Sequence, residues 1–118
     1  MAAPASAADV ICQTKHSGLI YVPTDRALGN YSCYMYKTYG GKAAVEAFQR
    51  SYNTCYAGWP GRGPDWPRLS EDGIYGDLTA TAVAWVQRHH GLKNDGYYGP
   101  ATAAKLIYYS SPSLCVTR

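Results

Sequence analysis

Apolar residues in the middle of the chain recur every three or four positions, whereas those before residue 40 gather in short runs. Over 42–53, Ala44, Val45, Phe48 and Tyr52 share one face of a predicted helix. Over 77–90, Leu78, Ala82, Trp85, Val86 and His89 form a second stripe. Gly91 follows it, at the place where a left-handed residue commonly closes a helix. A third helix is expected over 100–109. Pro100 fits its first position, where a missing N–H costs nothing, and Ser110-Ser111-Pro112 ends it. Asp77 holds the matching first position of the second helix, where its charge suits the positive helix end. Upstream, Val10-Ile11-Cys12 and Leu19-Ile20-Tyr21-Val22 have strand-like composition around a turn signal at Ser17-Gly18. The Tyr-rich run 32–39 reads as a strand or irregular arm, Gly40-Gly41 breaks the chain, and residues 1–8 are expected to be disordered.

The helices are joined by a recurring corner. Asp72-Gly73-Ile74-Tyr75-Gly76 returns as Asp95-Gly96-Tyr97-Tyr98-Gly99, each followed by a Thr-Ala pair, Thr79-Ala80 and Thr102-Ala103. Gly73 and Gly96 supply the positive φ that a tight turn requires, and Asp72 and Asp95 can bond to the backbone just ahead. Helix residues echo each other as well: Ala44, Val45, Gln49 and Arg50 match Ala82, Val83, Gln87 and Arg88. Such internal similarity predicts one helix-and-corner unit used twice. Gln49 and Gln87 hold matching helix positions, and the favoured role for each is to bond the backbone of the corner that follows. Direct ligand recognition is the other reading.

A helix ending in Phe48-Gln49-Arg50, the doubled Asp-Gly corner, and a helix carrying Ala82-Val83 and Val86-Gln87-Arg88 before Gly91-Leu92 resemble the type 1 peptidoglycan-binding domain (PGBD-like) family over residues 42–109. The resemblance implies a mainly α fold, a three-helix bundle, here preceded by an N-terminal disulfide-linked extended arm. It implies a non-catalytic role in tethering proteins to peptidoglycan. The expected division is a disordered start at 1–8, an extension at 9–41 and the binding domain at 42–118. The chain departs from the family pattern in that arm and in a long loop at 57–71 that carries Trp59, Arg62, Trp66 and Arg68.

Composition narrows the setting. Four cysteines in a chain of 118 residues form no C-x-x-C pair and no metal-ligand spacing with histidine. They read as two disulfides, and so as an oxidising compartment. Three pairings are open. Cys33–Cys55, clamping both ends of the first helix, with Cys12–Cys115 tying the chain ends, is the favoured one. Ala5-Ser6-Ala7 fits the end of an export signal, so a secreted, extracellular or wall-associated protein is expected. No apolar run is long enough to span a membrane. A net charge of +3 spread along the chain is too weak for nucleic-acid binding. A monomer without cofactor or metal is expected.

Candidate chemistry favours holding over cutting. His16, His89 and His90 are the histidines; neighbours on a helix point about 100° apart and make a poor chelate. Half-buried packing is expected for His89. Asp72 and Asp95 are read as turn formers and not as an acid–base pair. The chain holds 12 Tyr and 3 Trp but a single Phe, a bias toward aromatics with a polar tip, which suits sugar contact at a wet surface. Trp85 is expected in the core. Tyr75 and Tyr98 recur in both corners, which favours packing over contact, whereas Tyr97 stands where the first corner has Ile74. The candidate ligand contacts are Tyr97, Asn94, Asp72, Tyr75, Trp59, Trp66 and Arg88, and the expected ligand is peptidoglycan or a related amino-sugar polymer in a shallow groove. A different class of function is also open: a protein-interaction or inhibitor module that uses the 57–71 loop to grip a secreted protein.

Overall fold

Helix α1 (Lys42–Cys55) is buried on several faces, with Ala44, Val45, Phe48, Gln49, Ser51, Tyr52, Asn53 and Cys55 all enclosed. A helix covered this widely sits inside a domain instead of lying on it. In the computed structural model, which describes residues 10–15, 21–24, 32–111 and 114–117, α1 is packed by elements from both ends of the chain. They are β1 (Thr14–Lys15), β2 (Pro23–Thr24), β3 (Ile107–Ser110) and β4 (Leu114–Thr117). Helices α2 (Asp77–His89) and α3 (Pro100–Lys105) complete the described elements.

The mainly α three-helix bundle expected from the sequence is therefore overturned. The three helices hold 14, 13 and 6 residues, and two small antiparallel sheets, β1–β2 and β3–β4, stand beside them. The miss lies chiefly at the third helix, which stops at Lys105. Leu106 turns extended (φ −63°, ψ 152°) and the chain enters a strand. Ile107, Tyr108 and Tyr109 are β-branched or aromatic, and burial alternates along them as in a half-covered strand. The partner strand β4 pairs Tyr109 with Cys115 and Tyr108 with Val116. Side chains from α1 and just beyond its end cap the strand: the Ile107 N–H donates to the Tyr56 hydroxyl (2.8 Å) and the Tyr109 N–H to Ser51 Oγ (2.9 Å). These partners are remote in sequence, so local periodicity does not reveal them.

The disulfides also differ from the favoured pairing. Cys12 bonds Cys33 and Cys55 bonds Cys115, with Cα separations of 5.0 and 5.7 Å. Strand-like contacts explain the first bridge. The Cys12 N–H donates to Tyr34 O (2.9 Å) and the Tyr34 N–H to Val10 O (2.8 Å), which sets Cys33 beside Cys12. The β3–β4 hairpin explains the second, because it lies on α1 and carries Cys115 to the last turn of that helix. One bridge thus closes the arm on itself, and the other staples the C-terminal hairpin to α1.

The arm passes close over the start of α1. The Gly41 N–H donates to Cys12 O (2.8 Å), and a Cβ at Gly41 would collide with the backbone of Gln13, so glycine is required there. Among the described residues upstream, strand-like pairing is the two-residue β1–β2 ladder and isolated bridges such as Ile11 with Tyr34. The expected disorder at 1–8, the turn at Ser17-Gly18, the strand residues Leu19 and Ile20, His16 and the stop at Pro112 lie outside the described residues.

Tyrosine carries much of the core. Tyr52, Tyr56, Tyr75, Tyr98 and Tyr108 are buried, in line with the packing expected for Tyr52, Tyr75 and Tyr98 and adding Tyr56 and Tyr108 to the core. Buried tyrosines need partners for their hydroxyls, and they have them. Tyr52 donates to Pro67 O, Tyr75 to Gly96 O and Tyr108 to Ala103 O, while the Tyr98 and Tyr108 hydroxyls meet at 2.7 Å. Burial lifts the Tyr52 phenol to about 12.

Candidate functional site

Each corner is organised by one buried glutamine. Gln49 Nε2 donates to Asp72 Oδ1, Ile74 O and Thr79 Oγ1, each at 3.1 Å, and its Oε1 accepts the Gly73 N–H at 2.9 Å. Gln87 Nε2 donates to Asp95 Oδ1 (3.2 Å), Tyr97 O (2.7 Å) and Thr102 Oγ1 (2.9 Å), and its Oε1 accepts the Gly96 N–H (3.0 Å). Asp72 also accepts the Ile74 N–H and Asp95 the Tyr97 N–H, both at 3.0 Å. Gly73 and Gly96 have φ of 74° and 77°, so the two corners share backbone hand as well as bonding. The role favoured for Gln49 and Gln87 is the one they play. An amide is suited to it, since its two N–H groups are shared among three acceptors while its oxygen takes the glycine N–H. Tyr75 joins the corners to each other through its hydroxyl on Gly96 O at 2.6 Å.

The Ile74 N–H, and next the Gln49 amide, hold the Asp72 carboxyl below the usual carboxylate range. A lowered carboxyl contributes stability that is complete above its unfolded value of about 3.9 and is lost as pH falls through its folded value. Asp72→Asn keeps an accepting oxygen but removes the charge. The variant should melt below the wild type at pH 7, and the gap should narrow as pH falls below the usual carboxylate value of about 3.9. Thermal melts across that range check it; a gap that persists at low pH would assign the effect to shape and not to charge.

Residues alternate through each corner. Tyr75 and Tyr98 point inward, while Ile74 is 66% exposed and its counterpart Tyr97 is half-buried. Leu78 is 76% exposed, which corrects its placement on the apolar stripe of α2. The buried face of that helix is Thr79, Ala82, Val83, Val86 and Gln87. Ile74 and Leu78 line a groove of about 230 Å³ together with Leu69, Asp72, Asp77 and Thr79. Two exposed aliphatic side chains thus stand beside the carboxylates of Asp72 and Asp77 in one groove.

The structure scatters the remaining candidates. Asp72 is in the groove. Tyr75 is buried and committed to Gly96, so it cannot touch a ligand. Tyr97 and exposed Asn94 belong to the second corner, and Arg88 is exposed near the end of α2. Trp66 stacks on Tyr52 and Tyr56 (centroids 6.1 and 6.3 Å) and tilts against Trp85 (5.6 Å). It therefore pins the 57–71 loop onto the core. Asn53 holds the far end of that loop, donating to Leu69 O and accepting the Leu69 N–H. Trp59 is 39% exposed and carries the Arg62 guanidinium over its ring at 4.5 Å. Trp85 is half-buried. His89 is exposed, against expectation. The half-buried histidine is His90, whose Nε2 lies 2.7 Å from the Tyr56 hydroxyl; burial, then the charges of His89, Arg62 and Lys105, lower its pKa.

Sequence reasoning did not place Leu78 and Ile74 at the first-corner groove. The signal was present in the alternation of Ile74 with the inward Tyr75. It also missed a second groove of about 240 Å³ between the arm and α1, lined by Lys15, Tyr21, Glu46, Arg50 and Glu71 among others. Arg50 there is already engaged, by Glu71 at 3.3 Å and by the faces of Tyr21 and Tyr109. No helix among the described residues is long and apolar enough to cross a membrane.

Comparison with known proteins meets this geometry at the corners. Residues 60–106 match the family model described as "Putative peptidoglycan binding domain". A stretch of 40 residues is 48% identical to a Bacillus licheniformis protein named "Probable N-acetylmuramoyl-L-alanine amidase"; it covers 34% of this chain and 11% of that protein. The chain thus spans a small part of that relative. No solved structure matches the chain. The matched residues, 60–106, contain both corners and the helix between them, so this segment is similar to the peptidoglycan-binding domain family.

Proposed function

We propose that the protein is a secreted, non-catalytic binder of cell-wall peptidoglycan, and that the groove at the first corner holds the polymer. The observation that carries this reading is the exposure of Ile74 and Leu78 beside Asp72 and Asp77, within the family-matched segment. N-acetyl and lactyl methyl groups offer small apolar faces to Ile74 and Leu78. Sugar hydroxyls and peptide N–H groups donate to the two carboxylates. A binding role without chemistry is supported by the bonding of Asp72 and Asp95. Both are tied to a glutamine and to a backbone N–H, and Asp72 is held in its charged form, which suits a turn former better than a proton donor. The groove is small, so affinity per site is modest and a polymer gains from repeated engagement.

Co-sedimentation with insoluble peptidoglycan tests this. The double variant Ile74→Ser with Leu78→Ser is expected to bind about tenfold or more weakly, with little change in melting temperature because both side chains are exposed. Equal binding by variant and wild type would remove the groove from the account. Loss of turbidity in a wall suspension on adding the protein would contradict the non-catalytic part.

A further inference from the structure

The arm contributes a surface of its own. Residues 36–39 form a tight turn, with the Tyr36 N–H donating to Tyr39 O (3.0 Å) and the Tyr39 N–H to Tyr36 O (2.7 Å). The turn is fastened to the first corner. The Thr38 N–H donates to Tyr75 O (2.8 Å), and Lys37 Nζ meets Asp77 Oδ1 at 2.7 Å. Thr38 has a φ of 68°, a left-handed conformation that a β-branched residue rarely adopts. The fold tolerates it, and the result is that Tyr36 and Tyr39 stand side by side, ring centroids 4.8 Å apart. Tyr97 of the second corner joins them, 5.7 Å from the Tyr36 ring. Its backbone is fixed on both sides, by Asp95 at the N–H and by Gln87 at the carbonyl.

These three tyrosines differ from those of the core. Tyr39 is 53% exposed, and Tyr36 and Tyr97 are half-buried. None of their hydroxyls has a hydrogen-bond partner among the described residues, whereas Tyr52, Tyr56 and Tyr75 are all bonded through theirs. Three adjoining rings on a fixed backbone, with free polar tips, match the needs of a pyranose. Its axial C–H faces stack on aromatic rings and its hydroxyls bond to phenols. Asp77 belongs both to the groove lining and to the Lys37 pair, so the turn abuts the groove.

We propose that Tyr36, Tyr39 and Tyr97 form a stacking platform for the N-acetylated pyranose rings of the wall glycan, and that the arm thereby extends the groove into a longer track. The proposal rests on the wall-binding reading above and adds a sugar subsite that includes residues outside the family-matched segment.

The test separates the two claims by its probe. A β-1,4-linked N-acetylglucosamine hexamer, which lacks stem peptide and lactyl groups, is titrated into the whole chain and followed by NMR. Tyr39→Ala and Tyr97→Ala should each weaken hexamer binding about three- to tenfold, as expected for one stacked ring. Tyr39→Trp should retain it, and Tyr39→Leu, apolar but not flat, should behave like Tyr39→Ala. Hexamer binding that is unchanged in both alanine variants overturns the platform, as does a wild type that ignores the hexamer while sedimenting with peptidoglycan. Failure of the wild type to sediment with peptidoglycan strikes the wall-binding reading, while the hexamer titration judges the platform by itself. Melting temperatures of the Tyr39 variants near that of the wild type show that the readout is contact and not folding.

Discussion

Gln87→Leu is expected to lower the melting temperature by roughly 10–20 °C. The substitution keeps the helix and most of the volume but strips the second corner of its organiser. The Gly96 N–H, Tyr97 O and Thr102 Oγ1 lose partners that lie at 3.0, 2.7 and 2.9 Å. Each buried polar group left unsatisfied costs about 1–3 kcal/mol. Added apolar packing by leucine offsets part of this, which leaves a net loss of about 3–5 kcal/mol. Gln49→Leu removes the matching bonds, yet Asp72 and Ile74 are exposed and water can replace some of them. Its loss should be the smaller of the two. Gln87→Glu should not rescue the corner, because it keeps an acceptor for Gly96 but replaces the donor facing Asp95 with a negative charge. Scanning calorimetry on the three variants decides the matter. Melting temperatures within a few degrees of wild type for Gln87→Leu would show that the Asp-Gly corner holds its shape without the amide.

Opening the Cys55–Cys115 bridge is the second large effect. Its ends are 60 residues apart in sequence, against 21 for Cys12–Cys33. If loop entropy in the unfolded chain dominates, the long bridge contributes about 4 kcal/mol and the short one about 3 kcal/mol. The long bridge also holds β4 to α1, and with it the strand pairing that takes up the backbone of β3. Cys55→Ala with Cys115→Ala should therefore destabilise more than Cys12→Ala with Cys33→Ala, and full reduction should remove about 7 kcal/mol. Small domains hold about 5–15 kcal/mol in all, so full reduction should remove about half or more of the stability. Urea titrations of the two double variants give the order, and the reverse order would mean that strain or residual structure outweighs loop length.

The legible parts of the sequence were the local ones. The start of α1 and the span of α2 follow from periodicity and from the glycines around them, and the two corners follow from Asp-Gly turn chemistry. The matching glutamines were legible because each lies on the helix before the corner it serves. What failed depended on distant partners. The strand β3 is stabilised by β4, by the Tyr56 hydroxyl and by Ser51, none of which a local window contains. The disulfide pairing follows from how the arm and the hairpin lie on α1. The tyrosine bias was read as suiting a wet surface, although Tyr52, Tyr75 and Tyr98 were expected to pack; composition does not show that Gly96, Pro67 and Ala103 each offer a carbonyl to a buried phenol. In the candidate site, Asp72 was legible but Leu78 was not. The stripe of α2 was one residue out of phase at its start, where the exposed Leu78 precedes the buried Thr79.

A gripping surface at the first corner, built on the turn that Gln49 holds in place, is the central prediction. Co-sedimentation with purified insoluble peptidoglycan at low salt addresses it most directly. The wild type should enter the pellet, the Ile74→Ser, Leu78→Ser variant should stay largely in the supernatant, and Trp59→Ala on the 57–71 loop should sediment like the wild type. A wild type that stays in solution, or a Trp59→Ala variant that loses binding while the groove variant keeps it, would contradict the account.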